Sequence, residues 1–249
     1  DLRAWTEERP NWVEHLRMVM AFNIARAAGA ALYVVHMASE ESADLLLEWR
    51  GRESITAMGV FALLVVLLLG FTLGSEPARA PAILWVALGF AAMLGVARPT
   101  LLEVEQGSME TLLLYPGSRE HLYWGKWMAL TLTLTALLGS LLPVLGVLFN
   151  LDLWSRQPAL LGIGLLGIIG LAATGTLFAS LLVHVRGREL LMPLLLLPVT
   201  LPVVLGGVRL TEAVLTGDSG GLWLGVLAVF DILFLLVAPI LFDIVMEEA

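Results

Sequence analysis

Three glutamates, Glu103, Glu105 and Glu110, surround one glycine, Gly107, inside the one long polar interval of a chain that otherwise alternates apolar blocks with short connections. Carboxylates so close together suit general acid–base work, but a solvated hairpin offers no pocket in which to shield a proton transfer. They suit a partner's basic groove better. Met109, Leu112 and Leu113, at i, i+3 and i+4, then supply the apolar contact beside them. Asp231 stands inside the last apolar block, where a carboxylate must be neutralised, paired or turned toward a cavity, and both a packing and a pathway role are open to it. Neutral imidazole is a common axial haem ligand, yet His15, His36, His121 and His184 fall in the first 43 residues, in the polar interval or at a block end. None is well placed for that role, which also needs a cavity and a polar second shell. Pro193, Pro198 and Pro202 each remove a backbone donor from one apolar block, which makes that block either a hinge or a shaped packing surface. The carbonyls they release need protein, water or a hydroxyl such as that of Thr200.

The glutamates need elements to hold them. Thr100 followed by Glu103 fits a capping box and predicts a short helix over Leu101 to Gln106. Gly107 ends it in a left-handed conformation, Ser108 caps a second helix, and Glu110 lies in the positive first turn of that second helix. Pro116 stops it, and the turn from Pro116 to Arg119 leads into the next apolar block. The interval from Arg98 to Lys126 is therefore expected to be a built hairpin.

The totals make the remainder membrane. Of 249 residues 59% are hydrophobic and 14% charged, and the mean hydropathy is +0.89, which excludes an ordinary globular balance. A formal charge of -8, with the surplus acids toward the two ends, argues against a nucleic-acid partner. Cysteine is absent, so there are no disulfides or thiolate ligands, and no metal site is expected. No P-loop, HExxH or G-x-S-x-G pattern occurs, so the chain is not expected to be an enzyme and must draw energy from elsewhere.

Six spans are predicted, at 55–73, 80–97, 124–149, 159–183, 190–208 and 222–244, each long enough for a hydrocarbon core of roughly 30 Å. In the fourth, Gly162, Gly167, Gly170, Ala173 and Gly175 predict close helix approach. Residues 41–53 read as a helix at the membrane surface, with Leu45, Leu46 and Trp49 on one side and Arg50 and Arg52 beyond. Residues 1–43 read as an extension, a neighbouring reading frame or a surface helix, and their apolar run from Met18 to Met37 carries Asn23, Arg26 and His36, so it is not expected to cross the bilayer. No cleavable signal pattern is visible, and the first residue, Asp1, implies an earlier start. On the face holding the long interval lie Arg50, Arg52, Arg98, Arg119, Lys126, Arg186 and Arg188, against Arg79, Arg156 and Arg209 on the other. Seven against three predicts that both termini lie inside.

The pattern E-x-E-x-G-x-x-E-x-L-L-x-x-P-x-S-R followed by G-K, from Glu103 to Lys126, resembles the cytoplasmic coupling loop of type-2 ATP-binding-cassette exporter permeases. DLLLEWRGRES at 44–54, LWVALGFAAMLGVAR at 84–98 and RELLMPLLLLPVTLPVVLGGV at 188–208 bring it closer to one branch, the CcmB family of haem exporter permeases of cytochrome c maturation, over residues 44–249. The resemblance implies an all-α membrane protein of six transmembrane helices in a permease domain, with an interfacial helix before the first span and a cytoplasmic coupling hairpin between spans 2 and 3. It implies that Glu103, Glu105, Gly107, Met109, Glu110, Leu112, Leu113, Pro116 and Arg119 meet a separate CcmA-like ATPase subunit that binds ATP. It implies further partners in haem-handling subunits C and D and, indirectly, haem chaperone E. By the same resemblance the chain binds no cofactor itself, haem is its expected cargo, and the cell inner membrane its location. Because one six-span half cannot enclose a path, a homodimer of permease halves is expected. A generic type-2 permease for a drug, lipid or polysaccharide is the alternative, which the short external loops disfavour. A membrane-embedded enzyme using Asp231 with His184 or Glu189 fails because those residues lie at different depths.

Overall fold

A computed structural model describes residues 40–105, 119–151, 156–182, 185 and 187–247. Among them every regular element is helical: α1 (Glu40–Leu73), a single 3-10 turn (Pro77–Arg79), α2 (Ala80–Glu105), α3 (Arg119–Leu148), α4 (Gln157–Leu181), α5 (Arg188–Thr216) and α6 (Gly221–Glu247). The chain divides into two compact units, Asp1–Glu53 and Ser54–Ala249. Of the first, only Glu40 to Glu53 are described, and they are helical. The stretch expected as a surface helix and the first span thus share one helical assignment, α1. Residues 1–39, including the apolar run from Met18 to Met37, lie outside the described residues.

Among the described residues of the second unit six helices are long and apolar enough to cross a bilayer: Ile55–Leu73, Pro77–Ala97, Leu122–Leu148, Gln157–Leu181, Leu190–Thr216 and Gly221–Val245. All six predicted spans are present. The fifth is longer than expected, because Arg209 to Thr216, read as the start of a loop, continue the helix. Arg209 and Glu212 pair at i, i+3 with N···O 3.0 Å, and such pairs support a helix. The helix stops at Gly217, which at φ +85° takes a left-handed conformation and sends its N–H back to the Ala213 carbonyl at 2.8 Å.

The centre of the unit is α4. Leu138 of α3 fits against Gly164, Trp85 of α2 against Gly167, Asp231 of α6 against Gly170, and Val96 of α2 against Gly175; at each glycine a Cβ would collide with that side chain. In lipid, where apolar surface gains nothing by leaving water, notches that let neighbours approach are what hold helices together. Gly167, Gly170 and Gly175 therefore act as expected. Gly162 does not, since nothing stands within 4 Å of a Cβ there, while Gly164, outside the predicted set, is a notch. By contrast the stretch of α1 from Ile55 to Leu73 buries a narrow stripe, Met58, Ala62, Val66 and Gly70, and exposes Leu64, Leu68 and Phe71.

Candidate functional site

The polar interval between spans 2 and 3 is built differently from the expected hairpin on its first side. α2 runs unbroken from Ala80 through Pro99 and Thr100 to Glu105, so Thr100 is not the start of a new helix. A capping box serves N–H groups left unpaired at a helix start. Where a preceding span already supplies helical turns, extending them costs no new nucleation. Glu103 and Glu105 therefore ride on the last turns of α2, and Arg119 opens α3. Gly107, Met109, Glu110, Leu112, Leu113 and Pro116 lie outside the described residues, as do Ser108 and the expected second helix.

Two inward-facing residues in the first turns of α3, Tyr123 and Trp127, bind that helix firmly to the bundle. Tyr123 is fully buried, and its hydroxyl donates to the Ala173 carbonyl of α4 at 3.4 Å. One turn on, the Trp127 indole N–H donates to the Ile169 carbonyl at 3.3 Å. Two donors four residues apart on one helix thus meet two carbonyls four residues apart on an antiparallel neighbour. Tyr123 also sets its ring edge-on to Phe242 of α6, with centroids 5.6 Å apart, and Trp124 and Trp127 pack at 5.3 Å. This clamp was not anticipated. Its signal in the sequence is Tyr123 and Trp127 at i, i+4 across the end of the interval.

Deeper in the bundle a second constellation joins three helices. Trp85 of α2, 1% exposed, lays its ring against Gly167 of α4 and Gly207 of α5, leaving no space for a Cβ at either. Its indole N–H donates to Thr211 Oγ1 at 3.0 Å, and that hydroxyl donates to the Gly207 carbonyl at 2.7 Å. A buried indole requires such a partner. At the far end of the same helices the Arg156 guanidinium donates to the Val214 and Leu215 carbonyls, which end α5 without intrahelical partners.

Asp231 sits on the inner stripe of α6 with Leu227, Ala238 and Phe242, and is 4% exposed. Of the residues suggested as its chemical partners, His184 lies outside the described residues, and Glu189 lies in the first turn of α5, near a span boundary. The three prolines of α5 fall within a continuous α-helix. Pro198 and Pro202 lie on its outer face with Leu194, Leu201 and Leu205. The Thr200 hydroxyl does not serve the carbonyls they release. It donates to Leu196 and Leu197 at 2.9 and 3.2 Å, whereas a proline at i releases the carbonyl at i−4, here Leu194 and Pro198. No group of three or more His, Cys, Asp or Glu able to hold a metal occurs among the described residues.

Residues 38–247 match the family model described as CcmB protein. Heme exporter protein B of Bradyrhizobium diazoefficiens is 32% identical over 185 residues, covering 72% of this chain and 83% of that protein. The proteins of the same name from Paracoccus denitrificans and Rhodobacter capsulatus are each 32% identical, over 181 and 179 residues, covering 71% and 69% of this chain and 81% and 80% of theirs.

Proposed function

The chain belongs to the CcmB protein family, and on that premise we propose that it is the membrane-embedded permease of an ATP-driven haem exporter serving c-type cytochrome biogenesis. What carries this reading is the relatives named Heme exporter protein B, four fifths of whose length aligns with this chain and its six-span body. The work done is haem export or release of the haem-loaded chaperone.

ATP is hydrolysed on a separate CcmA-like subunit that docks on the cytoplasmic interval from Arg98 to Lys126. Glu103, Glu105 and Glu110 meet basic residues of its groove, Met109, Leu112 and Leu113 enter it, and Gly107, Pro116 and Arg119 shape the turn. Both termini lie on that cytoplasmic side of the inner membrane, in line with the arginine and lysine bias. Haem-handling subunits C and D join the complex, two permease halves enclose the path, and the chain itself holds no cofactor.

The physical link from the docking loop to the path is the α3 clamp. A push on the interval is delivered to the first turns of α3, where the Tyr123 and Trp127 bonds pass it to α4 at Ala173 and Ile169. Because α4 receives side chains from α2, α3 and α6 in its glycine notches, displacement of α4 must move several spans at once. Close-packed interfaces transmit small shifts as discrete rearrangements. Pro193, Pro198 and Pro202 give α5 the points at which to bend as it follows.

The test is affinity purification of the full chain from mild detergent. An ATPase and a multispan haem-binding protein recovered together are the expected companions. An ATPase alone would point to a generic exporter.

A further inference from the structure

Asp231 is a buried carboxyl that the coupling scheme does not use. It is the eleventh residue of the Gly221–Val245 span. At about 1.5 Å per residue that is near the middle of a roughly 30 Å hydrocarbon core. It is 4% exposed, and neither Oδ1 nor Oδ2 has a hydrogen-bond partner. Oδ1 presses into the Gly170 notch of α4, where a Cβ would overlap it, and Phe230 and Val203 border the same notch.

The helices packed on α6 are α3, α4 and α5. Residues 157–181 of α4 and 190–208 of α5 include no titratable side chain. Tyr123, the titratable residue that α3 buries, commits its hydroxyl to Ala173, and on α6 itself Asp243 is three turns away toward the end of the span. An ionised carboxylate at this depth, without donors, carries a desolvation cost that nothing here offsets. A neutral carboxylic acid differs in one respect: it brings its own O–H donor, and the Leu166 and Gly167 carbonyls, one turn before Gly170 on α4, keep a second lone pair that no described side chain takes, unlike those of Ile169, Gly170 and Ala173.

We propose that Asp231 is a proton-binding site, held as a neutral carboxylic acid that clasps α6 to the glycine-notched turn of α4. Gly170 is the complement of that acid, since any side chain there would occupy its space. The clasp lasts while the proton stays. When the two helices part and water enters the notch, the proton passes to water, the carboxylate takes up water's hydrogen bonds, and re-closure requires a proton back. This device does not depend on the nature of the cargo.

Infrared spectroscopy of the full chain in lipid nanodiscs reads the carbonyl stretch of an un-ionised carboxylic acid directly. The wild type is expected to show it, with a shift when aspartate is isotopically labelled, and Asp231→Asn to lack it. Absence of the band in the wild type overturns the proposal. Unfolding equilibria supply the second reading. Asp231→Leu keeps the side chain's bulk but loses the clasp, and is expected to lower the folded-to-unfolded ratio about threefold to twentyfold, the range for one interhelical hydrogen bond in a bilayer. Gly170→Ala is expected to lower the ratio at least fivefold more beside Asp231 than in an Asp231→Ala background, because methyl and carboxyl contend for one space. A wild-type ratio in Asp231→Leu, or the same effect of Gly170→Ala in both backgrounds, overturns the clasp.

Discussion

α4 and α6 supply spans of equal length, 25 residues each, and they reach stability by opposite means. α6 is the more apolar of the two, yet only 22% of its most apolar stretch is buried in the unit, against 67% for α4. The greasier helix is the outer one. In water that order would be reversed, but in a bilayer a leucine loses nothing by facing lipid, and burial goes to the helix whose small residues let neighbours come close. α4 therefore acts as the receiving surface, with notches at Gly164, Gly167, Gly170 and Gly175. α6 lays one narrow inner stripe against its neighbours and turns Leu222, Val229, Leu236 and Ile240 outward.

That contrast sets the order in which substitutions should hurt. The largest effect is expected at Trp85, which fills the notches of α4 and α5 together. Trp85→Ala should cost about 3–5 kcal/mol, read from reversible unfolding in bicelles. Gly167→Ala comes next, at about 1–3 kcal/mol, because the indole ring must move to admit a methyl. Tyr123→Phe removes one hydrogen bond from the α3 clamp and should cost about 0.6 kcal/mol, with a larger proportional loss of ATP-coupled activity than of stability. The smallest effect is expected on the outer face of α6, where Leu236→Ala exchanges one lipid contact for another and should stay within about 0.5 kcal/mol for the isolated chain. A cost several times greater in the assembled complex would mean that a second subunit covers that face, and would sharpen the contrast by separating lipid-facing from partner-facing surface.

The spans were legible in the sequence because length and hydropathy are properties of one segment at a time. Failures came where a local rule met a neighbour that the rule does not see. Thr100 and Glu103 had the spacing of a helix start, but the turns of α2 before them had already satisfied the backbone. Arg209 and Glu212 looked like loop residues until their pairing on one helix face was visible. Thr200 seemed placed to serve proline-released carbonyls, but its hydroxyl reaches carbonyls that were never released. Trp85 with Gly167 and Gly207 was not readable at all, since nothing in the sequence says that those three positions on three helices share one space. Asp231 stood out in the sequence as an inconsistency of charge and setting, and the structure adds the glycine it faces.

The central claim is that the interval between spans 2 and 3 receives work from an ATPase on behalf of a haem-exporting bundle. Its most direct test is the triple charge reversal Glu103→Lys, Glu105→Lys and Glu110→Lys, with ATPase recovery and c-type cytochrome yield measured beside the unfolding midpoint of the permease. The account predicts an unfolding midpoint close to wild type, together with loss of the bound ATPase and at least a tenfold fall in holocytochrome. Normal ATPase recovery and normal cytochrome yield from the reversed protein would contradict it.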